Sequence, residues 1–186
     1  MRMEIKRECM RLVRPSAAFA EEIAAFKKEL IDSLSRRDGC GELFSAEDPL
    51  SFIEASRNAE QRETQKKGLV PATQFLYADE ESGTVVGMIN VRHELNDSLA
   101  RLGGHIGYCI RPCFRGQGFA EPMLSLALEF CREELGLSMV MISCHRDNPA
   151  SEHTILACGG KRNRIVTDPE TGKEASIFYI TDETRG

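Results

Sequence analysis

Two periods of apolar spacing alternate along this chain, and each change of period marks an element. Over 17–34, Phe19, Ile23, Phe26, Leu30 and Ile31 recur every three or four positions, which predicts a helix with one buried stripe. Ser16 is placed to cap it, and Pro15 stops a short strand over 10–14 (MRLVR). A Gly- and Asp-containing break at 37–41 precedes a second helix, opened by Asp48 and Pro49 and running to about residue 65. The pattern then turns strand-like. Segments 73–77 (TQFLY) and 84–91 (TVVGMINV) flank a turn at 79–83 and read as a hairpin. A polar loop at 92–104 leads to a strand at 105–110 (HIGYCI), a turn at 111–116 and a helix over 119–135. Ala120, Met123, Leu124, Ala127, Leu128, Cys131 and Leu135 form that helix's buried face, and Pro122 is tolerated in its first turn. An apolar strand at 137–143 (LSMVMIS), a short helix at 151–157 ended by Gly159 and Gly160, and strands at 164–166 and 176–180 complete the chain. The order β-α-α-β-β-β-α-β-α-β-β predicts one mixed α/β domain spanning 1–186, with antiparallel strands first and a β-α-β crossover near the middle.

Composition narrows the function classes. Hydrophobic residues are 41% and charged residues 28%, enough for an ordinary globular core. A formal net charge of −5 without a basic stripe argues against a nucleic-acid partner. There is no apolar run of membrane-spanning length, and the charged first ten residues lack a signal-peptide core. Seven cysteines, an odd number without secretory context, read as reduced thiols of a cytoplasmic protein. Cys109 and Cys113 flank Pro112 with no second pair following, so no metal site is expected.

The chemistry concentrates in 111–120 (RPCFRGQGFA), between a strand and an amphipathic helix. A helix opening leaves backbone N–H groups without partners and carries partial positive charge. Gly116 and Gly118 remove the Cβ atoms that would keep a bulky anion away, and Arg115 adds a charge beside them. Together these features predict a pyrophosphate cradle. A dinucleotide fingerprint fails because Glu121 stands where a third small residue is required, and a P-loop fails for want of G-K-[S/T].

The run Arg115-Gly116-Gln117-Gly118-Phe119-Ala120 resembles the Q/R-x-x-G-x-G/A signature of the GNAT acetyltransferase superfamily, and Asn148, Ser151 and the Gly159–Gly160 ending resemble its following segment. The likeness is greatest to a little-characterised bacterial branch of predicted acetyltransferases. It implies a splayed, mostly antiparallel central sheet flanked by helices and acetyl-CoA as co-substrate. Amides of 115–120 would hold the CoA pyrophosphate. The pantetheine arm would lie against Tyr108, Cys109 and Ile110, where that strand splays from 137–143, and Asn148 and Ser151 would also contact CoA. The acceptor would be the primary amine of a small molecule or peptide, and a homodimer through the C-terminal strands fits this reading.

Amine acetylation needs a proton acceptor, since an amine of pKa near ~10 is almost wholly protonated at neutral pH. His105, opening its strand where relatives often carry Glu or His, is the first choice; Glu94 and His93 follow. His145 and His153 read as surface or capping residues. Many relatives use a Tyr seven positions past the Asn as proton donor, but that position is Ile155 here. Tyr179, Tyr108, Cys144 or a water are left for the role. A cysteine nucleophile at Cys109 or Cys144 is disfavoured, because burial raises a thiol's pKa. The lost Tyr supports one other reading, a non-catalytic domain that binds acyl-CoA as a sensor or interaction module.

Overall fold

The computed structural model describes residues 7–169 and 171–181. Eleven strands and helices follow in the expected order: β1 (Met10–Val13), α1 (Ala20–Asp32), α2 (Pro49–Ala59), β2 (Ala72–Asp79), β3 (Thr84–Arg92), β4 (Ile106–Ile110), α3 (Ala120–Glu133), β5 (Met139–His145), α4 (Pro149–Ala157), β6 (Lys161–Thr167) and β7 (Glu174–Thr181). Local chemistry accounts for the boundaries. The Asp48 carboxylate accepts from the Ser51 N–H at 2.7 Å with Pro49 in the first turn of α2, and Asn148 caps α4 through the Ser151 N–H at 3.2 Å. Ser16 makes no side-chain cap; a 3-10 turn at Ala17–Phe19 precedes α1 instead. The second helix ends at Ala59, short of the predicted position, and the 92–104 loop contains a π turn at Leu99–Gly103.

The strands form two antiparallel sheets, β1-β2-β3-β4 and β5-β7-β6. The larger sheet is covered on both faces. Phe75, Tyr77, Ile89 and Val91 share a core with Met123, Leu124, Ala127 and Cys131 of α3 and with Val140, Ile142 and Phe178 of the second sheet. Leu76, Ala78, Val85, Met88 and Cys109 pack on Ile23, Phe26 and Leu30 of α1 and Phe52 and Ile53 of α2. Tyr77 pairs with Gly87 and Ala78 with Val85, so Val86 is an extra residue that bulges from the ladder. Its carbonyl accepts the Arg111 N–H at 2.8 Å. The bulge thereby holds the chain where β4 ends and the glycine loop begins.

A partly buried ion triad fixes the same point from the other side. Arg111, 8% exposed, reaches Glu22 at 2.7 Å and Glu29 at 2.8 Å, one flank of α1. Burial works against the guanidinium's charge, but the two carboxylates outweigh it and raise its pKa.

The two sheets meet between β4 and β5 at one end only. Gly104 and Ile142 form an isolated bridge. The His105 N–H donates to the Met141 carbonyl at 2.7 Å, and the Met141 N–H donates to His105 Nδ1 at 3.0 Å. No ladder joins β4 to β5 beyond this contact among the described residues.

Phe26 is fully buried at the centre of the α1–α2 core. Replacing it with Ala is expected to destabilise the fold by about 3–5 kcal/mol, lowering the melting temperature by roughly 10 °C in a scanning-calorimetry measurement.

Candidate active site

Where β4 and β5 part, a cleft of about 960 Å³ opens between them, within the range of small-molecule and cofactor sites. Its wall includes the loop entering α3, both splayed strands, the start of α4 and the loop after α1. Of the residues singled out for cofactor binding, Tyr108, Cys109, Ile110, Arg115, Gly116, Gly118, Phe119, Ala120, Asn148 and Ser151 all line it. Gln117 does not; its Nε2 donates to the Cys113 carbonyl at 3.0 Å.

At the mouth of α3 the glycine loop is exposed. The N–H groups of Gly116, Gly118 and Ala120 donate to no acceptor among the described residues. Both glycines have positive φ, +71° and +76°, a conformation that turns successive amides to one side and that side chains with a Cβ resist. A Cβ built on Gly116 would meet nothing within 4 Å. Arg115 Nε donates to the Ile110 carbonyl at 3.0 Å, so the side chain expected to supply charge also ties the loop to the end of β4.

Tyr108 crosses the cleft. Its hydroxyl lies 3.0 Å from Ser151 Oγ on α4, and burial pushes its pKa up to about 12. Ile155, one turn further along α4, is wholly buried in the core, so the apolar side chain at that position is a packing residue. The phenol that approaches α4 comes from the opposite strand.

Of the residues considered for proton transfer, His105, Glu94 and Tyr179 lie off the cleft wall, whereas Tyr108 and Cys144 line it. His105 is buried, with Nδ1 engaged by the Met141 N–H; the accepting nitrogen must keep its lone pair, so the ring is neutral and protonated at Nε2. Burial, and then the Arg92 charge, lower its pKa. Glu94 is exposed and paired with Arg62 at 2.5 Å. The Tyr179 hydroxyl accepts from Arg164 at 3.2 Å beside the π turn, where Arg164 also donates to the Ala100 carbonyl. His93, a further candidate for the base, contacts Thr73 Oγ1 at 2.8 Å.

One wall residue and one wall loop come from places the sequence marked as surface or linker. His145, at the end of β5, lines the cleft with Nδ1 buried and without a hydrogen-bond partner among the described residues. The loop at 36–41 bridges the two sheets, because Arg36 pairs with Asp147 beyond β5. Its close seat on β4 requires Gly39: φ is +73°, and a Cβ there would fall 2.4 Å from the Gly107 carbonyl oxygen. Cys40 follows, with Sγ 3.4 Å from Cys109 Sγ. The contact with Cys40, and then burial, hold Cys109 well above the usual thiol pKa, and burial raises Cys144.

Comparison with known proteins fits this geometry. The family model described as an acetyltransferase (GNAT) domain matches residues 15–161. No curated protein sequence matches the chain. Among solved structures, the microcin C7 self-immunity acetyltransferase MccE in complex with acetyl-CoA and AMP is similar at 20% identity, covering 93% of this chain and 92% of that one, with a TM-score of 0.65. The ribosomal-protein-S5-alanine acetyltransferase from Vibrio fischeri is similar at 16% identity, covering 94% and 92%, TM-score 0.66. A spermidine N-acetyltransferase chimera from Vibrio cholerae and hSSAT is similar at 17% identity, covering 94% and 96%, TM-score 0.63. At these identities the structural likeness establishes the fold, while the family match extends over most of the sequence. The chain belongs to the GNAT acetyltransferase family.

Proposed function

We propose that this protein transfers the acetyl group of acetyl-CoA to a primary amine by direct attack. The observation that carries the proposal is the pairing of a splayed β4–β5 cleft with three open amides at the mouth of α3. The amides of Gly116, Gly118 and Ala120 suit a pyrophosphate, since each N–H can donate to an anionic oxygen and the helix end favours negative charge. Beyond the last bridge, the facing backbone of β4 is open to a pantetheine arm running along Tyr108 to Ile110. Acetyl-CoA supplies the acetyl group as an activated thioester.

The chain's own residues then divide the remaining tasks. His145 is the proposed base. With Nδ1 buried, Nε2 is the nitrogen assigned to the cleft, to take the proton that the acceptor ammonium must lose. His105 acts as a positioning residue, because its ring holds the two sheets together where they begin to part. Tyr108 donates a hydrogen bond to the sulfur as it leaves. A phenol raised to about 12 keeps its proton at neutral pH, so it steadies the thiolate without being consumed. Direct attack is favoured over a cysteine intermediate because the thiols on the cleft wall are held protonated.

Thermal melting with acetyl-CoA at ~100 times its Kd should show a stabilisation of about 2.7 kcal/mol, roughly 5–10 °C, with no comparable effect of NAD or ATP. Free-thiol release with a panel of amines then separates turnover from binding without chemistry. Gly118→Glu places negative charge in the cradle at a φ of +76°. Affinity for acetyl-CoA should fall by about 100-fold or more, while the melting temperature of the free protein drops only a few degrees. Retained affinity would put the pyrophosphate elsewhere. His145→Gln should lower kcat by about 100-fold with acetyl-CoA binding unchanged, and an unaltered kcat would remove the ring from the mechanism. Tyr108→Phe should lower kcat roughly tenfold; an effect confined to KM would make the phenol a binding group only.

A further inference from the structure

Two arginines at opposite ends of the β3–β4 ladder are taken out of full solvent contact, and they are treated differently. Arg111 is neutralised by two carboxylates within 2.8 Å. Arg92, at the end of β3, is partly buried and has no ion-pair partner among the described residues. Its Nη1 donates to the carbonyls of Gly103 at 3.4 Å and Gly104 at 3.0 Å, which are neutral acceptors. Burial pulls its pKa below the usual arginine value, against a pull from Asp38. An arginine nevertheless stays charged at neutral pH, so this one carries a charge that no carboxylate contacts among the described residues, in a place where water is partly excluded, a costly arrangement.

That charge faces the cleft. Arg92 lines it together with Asn90, Gly107 and Asp38, and Nη2 lies 3.9 Å from where a Cβ on Gly107 would stand. With Nη1 committed to the π turn, Nη2 and Nε form the edge of the guanidinium left for a ligand. The cofactor does not account for it. The open amides that suit its phosphates are at the mouth of α3, and a thioester carries no charge. The counter-ion is therefore sought on the acceptor.

We infer that the acceptor is an amine carrying its own carboxylate, of the α-amino acid type, whose carboxylate is received by the free edge of Arg92. The inference rests on the acetyltransfer reading and names the substrate class of that same site. A carboxylate has the two oxygens that the Nε–Nη2 edge of a guanidinium matches side by side. Asp38, an exposed carboxylate on the facing loop, supplies the opposite charge for the amine end. A linear polyamine is the wrong match: Arg36, Arg37 and Arg92 stand on this part of the wall against Asp38 and Asp147, and Asp147 is already engaged by Arg36 and Lys173.

The test compares free α-amino acids with their α-carboxamides as acceptors, with spermidine and phosphoethanolamine as further arms, by initial rates of thiol release at saturating acetyl-CoA. The acid of the best pair should exceed its amide in kcat/KM by roughly 10- to 100-fold, and in Arg92→Gln that ratio should collapse toward one while KM for acetyl-CoA holds. Equal use of acid and amide, or preference for spermidine or phosphoethanolamine over every amino acid, overturns the inference. So does an Arg92→Gln variant that slows all acceptors by one common factor, since the guanidinium would then act on the reacting carbonyl. A second measurement needs no variant. In the presence of CoA, N-acetyl amino acids should raise the wild-type melting temperature and N-acetyl amino acid amides should not; equal shifts overturn the inference. Thiol release with any amine upholds acetyl transfer whatever the ratio shows. Silence across the panel counts against acetyl transfer, and the melting comparison then decides the carboxylate subsite by itself.

Discussion

The structure depends on a sheet that is joined at one end and left unjoined at the other. Two hydrogen bonds between His105 and Met141, with the Gly104–Ile142 bridge beside them, close the seam between β4 and β5. Past that point each strand keeps its own inner partner, β3 or β7, and neither pairs across the gap. Backbone polar groups left unpaired inside a protein are costly, and the open seam is tolerated because it forms the wall of a wide cleft. The loop at 111–119 leads from the end of β4 into α3, so the same divergence that opens the cleft also aims a helix mouth into it.

Electrostatics divides this cleft into two regions. At the α3 mouth the positive character is diffuse and belongs to backbone amides and a helix end, a match for phosphate oxygens that can be reached from several directions. Beside β3 it includes the Arg92 guanidinium, oriented by two carbonyls. The contrast with Arg111, at the opposite end of the β3–β4 ladder, is informative. The one that braces the fold is neutralised by Glu22 and Glu29, and the one on the cleft wall is not. A charge held in place without its counter-ion is a common mark of a binding site.

Much of this was legible from local patterns. The glycine loop, the strand before it and the amphipathic helix after it lie within thirty consecutive positions, so their chemistry and placement could be read together. The Asp48–Pro49 helix start and the element order are equally local. Contacts between distant segments left no such trace. Nothing near His105 announces that Met141 will engage its Nδ1, so the residue has the chemistry of a base and the geometry of a fastener. His145 reads as a polar residue after an apolar strand until the fold turns it onto the cleft wall. The loop at 36–41 looks like a simple break between helices, yet Gly39 seats it on Gly107 and Arg36 carries it across to Asp147. Ile155 was visible as a departure from the relatives' pattern. That Tyr108 would approach the same helix from the opposite strand was not.

The most direct test of the account is a crystal structure with acetyl-CoA bound. The account predicts pyrophosphate oxygens within about 3 Å of the Gly116, Gly118 and Ala120 nitrogens, with the acyl arm entering between β4 and β5. A cofactor bound elsewhere, or those three nitrogens found bonded to protein carbonyls in its presence, would contradict it.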